Sequence, residues 1–300
     1  MAAAPHWRVS WRGPASRMRQ IADALEELAH PAPDAVAASE AEAGAWTAFA
    51  YYRGDAPDVD ALHSILQTVM TEDAPAAPPD CERLPDEDWV RLSLEGLPPI
   101  RAGRFTVYGG HDRARIAPGG VALHIEAGQA FGTGHHETTR GCLLALEAAL
   151  RRRPVRQGLD VGCGSGVLAL GLAKATGREV IAADIDPLAV EVAAENARLN
   201  GAAGASGPRL RAVTAAGLSH PAIRRGGPYD LIFANILARP LIALAPDIAG
   251  ALATGGEAIL SGLLASQERA VRGAYHAQGL MLAARFPLGE WMTLVLARPG

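Results

Sequence analysis

One run limits what this chain can fold into more than any other: Gly158-Leu159-Asp160-Val161-Gly162-Cys163-Gly164-Ser165-Gly166-Val167-Leu168-Ala169. An apolar strand enters three alternating glycines and leaves as an apolar helix. Glycine belongs in such a turn because a Cβ would hinder the tight reversal and hold the backbone away from a ligand. The helix start behind the turn favours negative charge. Around this run, helix and strand patterns alternate at short spacing from Gly134 to Gly262, which is the signature of a parallel sheet covered on both faces. Strands are expected at 155–161, 180–184, 210–214, 231–235 and 257–260. A last pair, 281–286 and 291–297, is separated by Pro287-Leu288-Gly289 and predicts an antiparallel hairpin at the sheet edge. The fold class is therefore α/β, a Rossmann-like sheet with a C-terminal antiparallel hairpin.

The spacing of the glycines selects among nucleotides. A dinucleotide turn reads G-x-G-x-x-G and cradles a pyrophosphate, but here Val167 stands where its third glycine would be. S-adenosylmethionine fits better, with its carboxylate near the helix start. The next strand closes in Ala182-Ala183-Asp184-Ile185-Asp186-Pro187. Asp184 is expected to bind the ribose hydroxyls, and Asp186, followed by proline, to cap the next helix. The fourth strand ends at Asn235, and carboxyl ends of strands line the ligand crevice of such sheets. A side-chain amide there can accept an N–H from an amine and aim the nitrogen lone pair at a methyl group. The alternative is a helix cap before Ile236.

Ala130-Phe131-Gly132-Thr133-Gly134-His135-His136-Glu137-Thr138-Thr139 reads as a glycine-punctuated loop entering a helix and able to fold over a ligand. His135 and His136 beside Glu137 suggest a metal, but adjacent residues do not share a helix face and no third histidine recurs at ligand spacing. No metal is expected, and a proton-accepting role for either histidine stays open. Upstream, strand-like 7–11, helical 15–28, strand-like 46–52 and helical 58–70 predict a small α+β unit over residues 1–70, with the ferredoxin-like arrangement as its candidate form. Residues 71–85, with Pro75, Pro78 and Pro79, read as a Pro/Ala-rich linker, and 86–300 as the cofactor-binding domain. Strands at 104–108 and 121–125 are expected to form a pair.

Composition narrows the function further. A net charge of −4 gives no broad basic footprint, so direct nucleic-acid recognition is not expected. Cys81, Cys142 and Cys163 lack C-x-x-C spacing and are too few for a disulfide framework, and Cys81 and Cys142 read as buried or incidental thiols. No apolar run approaches a membrane span and the first residues lack the pattern of a secretory signal. A cytoplasmic, monomeric protein is expected.

The motifs Phe131-Gly132-Thr133-Gly134…Thr138-Thr139, Asp160-Val161-Gly162-Cys163-Gly164-Ser165-Gly166, Asp184-Ile185-Asp186, Ala234-Asn235-Ile236-Leu237-Ala238 and Leu260-Ser261-Gly262-Leu263-Leu264-Ala265-Ser266-Gln267 resemble those of the bacterial PrmA family. The resemblance covers roughly Asp86 to the C-terminus, and the first unit matches only in size and in the order of its elements. It implies the class I methyltransferase form of the Rossmann-like sheet and an S-adenosylmethionine-dependent methyltransferase whose partner is the large-subunit ribosomal protein L-eleven (L11), methylated at lysine side chains and the N-terminal amine. By family pattern Thr139, Gly162, Asp184 and Asn235 hold the cofactor, Asn235 is catalytic, and the first unit recognises the protein substrate. The family loop commonly reads G-T-G-T-H-P-T-T; here His135 replaces threonine and Glu137 replaces proline. Two other functions fit the same pocket: methylation of a small molecule or another protein, and nucleoside binding without catalysis.

Overall fold

The computed structural model describes residues 6–28, 33, 35–40, 46–70, 75, 77–84, 99–116, 119–125, 136–204 and 207–300. The chain divides into two compact units, Met1–Leu92 and Ser93–Gly300.

The first unit runs β1 (His6–Gly13), α1 (Ala15–Leu28), β2 (Ala35–Glu40), β3 (Trp46–Arg53), α2 (Val59–Met70) and β4 (Asp80–Leu84). Its strands form one antiparallel sheet in the order β2-β3-β1-β4. This β-α-β-β-α-β arrangement is the ferredoxin-like one. Side chains alternate across a strand, so Val9 and Trp11 of β1 share a face with Ala48, Ala50 and Tyr52 of β3. That face packs on Met18, Ile21, Leu25, Leu62 and Leu66 of the two helices. Two of these strands are absent from the sequence reading. β2 is Ala-Val-Ala-Ala-Ser-Glu, rich in a residue that favours helix, and only pairing with β3 makes it a strand. β4 lies inside the stretch expected to be a linker, and it is held by pairing with β1 rather than by its own mostly exposed side chains.

The second unit is built on seven strands: β8 (Gly158–Val161), β9 (Glu179–Asp184), β10 (Arg209–Thr214), β11 (Tyr229–Asn235), β12 (Leu252–Leu264), β13 (Met281–Leu288) and β14 (Trp291–Ala297). Their order is β10-β9-β8-β11-β12-β14-β13. The first five are parallel. β14 enters antiparallel between β12 and the edge strand β13, which is the expected terminal hairpin. Both faces of the sheet are apolar and buried. Leu231 and Phe233 of β11 pack into one core and Ile232 and Ala234 into the other, as the near-continuous apolar strands of a covered parallel sheet require.

The covering helices are α3 (His136–Arg152), α4 (Val167–Thr176), α5 (Pro187–Leu199), α6 (Pro221–Gly226), α7 (Ala238–Ala243), α8 (Ala245–Ala251) and α9 (Glu268–His276). A smaller sheet joins β5 (Ile100–Ala102), β6 (Phe105–Tyr108) and β7 (Val121–His124), with β6 and β7 parallel. The expected pair is thus present, with a third strand, β5, added antiparallel to β6. Lys174, the sole lysine of the chain, ties this sheet to α4. Its Nζ donates to the Ala122 carbonyl at 2.7 Å and to Asn200 Oδ1 at 3.3 Å.

Strand order reverses at β8: the chain moves outward through β9 and β10, then returns to β11 on the other side. A crevice opens at such a switch point beyond the carboxyl ends of the strands, and the motifs at 160–166, 184–186 and 234–238 meet here.

Candidate functional site

β8 delivers the chain into the glycine turn. Gly162, Gly164 and Gly166 have φ of +69°, +51° and +76°, left-handed values that favour glycine. Gly162 N–H and Cys163 N–H donate to the Ala183 carbonyl at 2.8 and 3.0 Å, and Gly164 N–H donates to Asp184 Oδ2 at 2.8 Å. The turn is therefore stitched to the end of β9. A Cβ at Gly162 would fall on Cγ2 of Ile236, so this turn also touches the segment that follows β11. Gly162→Ala is expected to lower stability by about 1–2 kcal/mol from backbone conformation alone and to weaken cofactor binding. A melting curve with an isothermal titration of the cofactor checks both; an unchanged melting point would show that the turn can relax.

Asp160, one residue before the end of β8, takes a role that sequence reasoning missed. Its side chain is only 1% exposed, and Oδ2 accepts the Ala169 N–H of α4 at 3.1 Å. The carboxyl thus sits at the N-terminus of α4, where the backbone N–H groups lack intrahelical partners. Its other oxygen, Oδ1, is buried and has no hydrogen-bond partner among the described residues. Burial pushes this carboxyl up to about 7, against the lowering effect of the Ala169 N–H; the charge of Asp184 raises it further.

The two acids at the end of β9 have different partners, and the expected cap is the one at Asp186. Asp186 caps α5, with Oδ1 accepting the Leu188 N–H at 2.9 Å and Pro187 in the first turn. Asp184 closes the strand. Its Oδ2 holds Gly164 and its Oδ1 accepts the Asp186 N–H at 3.1 Å. Each carboxylate oxygen accepts more than one bond, so both keep capacity for a ligand hydroxyl. Ile185, between the acids, is 72% exposed and Leu188 is also exposed. An apolar side chain left in solvent beside a nucleotide crevice is a ready surface for a flat base. Its signal in the sequence is an isoleucine placed where the chain turns polar.

Asn235 ends β11 opposite Ser261 of β12. It does not cap a helix, because α7 begins at Ala238 with Leu237 in the cap position. The chain between them is gripped from both sides. Ile236 lies against Gly162, and a Cβ on Gly262 (φ +80°) would come within 2.7 Å of the Ile236 carbonyl carbon and 2.9 Å of its nitrogen. Gly262 sits where the register of β12 against β14 shifts, between Leu260 and Leu263. Such irregularities re-aim neighbouring groups. Asn235 Nδ2 donates to Thr138 Oγ1 at 3.3 Å. Asn235 Oδ1 is buried with no partner among the described residues. Leu237, just beyond, is 56% exposed.

Thr138 and Thr139 are buried in the first turn of α3. The loop 130–135, with His135, lies outside the described residues, as does the side chain of His136. Among the described residues no group of three or more His, Cys, Asp or Glu side chains could hold a metal, and no helix is long and apolar enough to cross a membrane. Cys142 and Cys163 are buried free thiols and Cys81 is an exposed one.

An implied methyl donor carrying a carboxylate, an ammonium, a ribose and a base meets a complementary set here. The turn is open to close backbone approach, Asp160 offers a buried acceptor with a lone pair to spare, and Asp184 and Ile185 stand side by side at the end of β9.

Comparison with known proteins agrees with this geometry. The family model described as ribosomal protein L11 methyltransferase (PrmA) matches residues 20–299. That match reaches into the first unit, so the likeness extends well before Asp86, where the sequence motifs alone had placed its start. Those motifs all lie in the second unit, whereas the family match also takes in the first unit from residue 20 onward. A ribosomal protein L11 methyltransferase of Rhizobium leguminosarum bv. trifolii is 49% identical over 254 residues, 85% of each chain. One from Agrobacterium fabrum is 52% identical over 77% of this chain and 79% of its own length. The crystal structure of ribosomal protein L11 methylase from Lactobacillus delbrueckii subsp. bulgaricus superposes with a TM-score of 0.57 at 28% identity, covering 67% of this chain and 98% of that one. With its sheet order, its glycine turn and these relatives, the chain belongs to the ribosomal protein L11 methyltransferase (PrmA) family, and it is a methyltransferase.

Proposed function

We propose that this chain methylates lysine side chains and the N-terminal amine of ribosomal protein L11, using S-adenosylmethionine. The observation that carries the reading is the buried, unpartnered Oδ1 of Asn235 at the carboxyl end of β11, beside the glycine turn. An orphaned buried acceptor is costly and is stabilised by a ligand donor, and an amine N–H supplies one. The relatives are named for methylating L11, and a cytoplasmic address suits a ribosomal substrate.

When bound, the cofactor supplies a methyl group on a sulfonium, open to in-line displacement. The chain's residues hold the partners. Gly162 lets the backbone approach the cofactor, Asp184 accepts from the ribose hydroxyls, and Thr139 closes the site from α3. Asp160 Oδ1 faces a cationic group. Asn235 receives an N–H of the incoming amine and turns its lone pair toward the methyl group. Alignment of this kind is worth several kcal/mol. The amine must arrive unprotonated, and a mouth that excludes water disfavours the ammonium. A neutral amide at Asn235 suits this, because a carboxylate there would favour the charged form. The first unit recognises the protein substrate.

The test is transfer of labelled methyl groups from S-adenosylmethionine to ribosomal proteins of a strain lacking this gene, with mass spectrometry of the labelled band. Label on L11 amines is the expected result. Label on another protein would overturn the substrate, and no label with the cofactor bound would overturn the reaction.

A further inference from the structure

A side-chain amide has two ends of similar shape and opposite chemistry. The carbonyl accepts and the NH₂ donates. If Asn235 receives an N–H from the acceptor amine, the carbonyl must face the crevice. A half-turn about the last side-chain bond would present NH₂ instead, which cannot accept from the amine and would compete for its lone pair. That torsion has a broad, roughly two-fold profile, so side-chain geometry alone does not choose.

The rest of Asn235 is already held. Its backbone closes β11 in register with Ser261, and the next residue is clasped between Gly162 and Gly262. The amide's half-turn is the freedom left over. Thr138 contacts it there: Asn235 Nδ2 reaches Thr138 Oγ1 at 3.3 Å while Oδ1 is left buried without a partner among the described residues. Thr138 is 1% exposed and belongs to the first turn of α3. The helix behind it is anchored against the sheet. Gly141, one turn on, lies so close to Thr293 of β14 that an added Cβ would meet the Thr293 side chain. The hydroxyl is therefore a fixed point and not a mobile surface group.

We infer that Thr138 is a positioning residue for methyl transfer: by engaging the NH₂ end of Asn235 it turns the carbonyl oxygen toward the acceptor nitrogen. This rests on the reading of Asn235 given above. It separates the two neighbouring threonines by function, with Thr139 serving the cofactor and Thr138 serving the orientation of the acceptor.

The experiment compares Thr138→Val, which keeps the shape and removes the hydroxyl, with Thr138→Ser, which keeps the hydroxyl, in the full-length protein. Each is made alone and with Asn235→Ala. Turnover on purified L11 is measured with labelled methyl donor, and cofactor affinity by titration calorimetry. Thr138→Val is expected to lower kcat about tenfold, the size of one modest hydrogen bond, with cofactor Kd unchanged. Thr138→Ser should stay within about twofold of the parent, since the hydroxyl is retained. In the Asn235→Ala background the valine should cost nothing further, because the group it orients is gone. A merely structural threonine would cost the same in both backgrounds. An equal loss in both backgrounds, or no loss from Thr138→Val beside a sharp loss from Asn235→Ala, would overturn this inference alone. Undiminished turnover of Asn235→Ala would overturn the reading of Asn235 beneath it.

Discussion

Asn235→Ala is expected to reduce kcat for methylation of L11 by about 100-fold or more, the order that removal of one aligning contact can produce at a reacting centre. Three features of the structure set that size. The Oδ1 lost is buried and unpartnered, so nothing nearby takes its place. The peptide that follows it is wedged between two glycines, so the backbone cannot shift to bring another acceptor forward. Leu237, exposed beside it, offers only apolar surface. Cofactor affinity should fall much less than kcat, because Gly162, Asp160 and Asp184 remain. A loss confined to turnover marks a contact that matters in the transition state rather than in binding. Asn235→Asp divides acceptance from charge. A carboxylate still accepts an N–H, but it also stabilises the ammonium and so raises the amine's pKa. Its pH–rate profile should be displaced to higher pH, with part of the activity recovered in alkaline buffer. Equal turnover for Asn235→Ala and the parent across pH would remove Asn235 from the mechanism.

What the sequence disclosed depended on whether the cause of a feature was local. The turn at 162–166 was legible because its glycines answer a local requirement for left-handed backbone. Asp184 and Asp186 could be told apart because a helix cap followed by proline is a local pattern, and the cap is there. Asn235 was placed by strand periodicity, but its alternative role as a cap could not be dismissed without knowing where the next helix starts. That start is delayed to Ala238 because Ile236 is held by Gly162 and by Gly262 of β12, a residue distant in sequence. β2 and β4 were missed for the same reason: each is a strand by virtue of its partner, and neither carries a strong strand pattern of its own. Asp160 was read as part of a motif, yet its contact with the helix start needs the whole turn to be folded. Its burial, which governs its acidity, belongs to no local pattern at all.

That burial leads to a second large effect. Asp160 titrates at about 7 in the folded chain, raised chiefly by desolvation, whereas an aspartate in an unfolded chain titrates near 4. The folded state therefore holds a proton that the unfolded state has released between these two values. A group raised in this way contributes most stability below its unfolded pKa, and that contribution is lost as pH rises through its folded pKa. Across about three pH units, at about 1.4 kcal/mol for each, the loss is about 4 kcal/mol and is complete just above pH 7. Asp160→Asn keeps an acceptor for the Ala169 N–H and abolishes the titration. It should match or slightly trail the parent near pH 4, where the parent's carboxyl is protonated. It should then gain on the parent steadily up to about pH 7 and hold that lead at pH 8. Denaturant unfolding of both proteins at several pH values in that window measures the difference directly. Using the difference between the two proteins cancels the ordinary surface carboxylates, which act in the opposite direction. Two stability curves that run parallel from pH 4 to pH 8 would mean that Asp160 is ionised throughout, with water or a neighbouring group satisfying Oδ1. A gap that opens toward pH 8 would mean that the free enzyme holds a strained anion beneath its glycine turn, one that a cationic ligand in the crevice relieves.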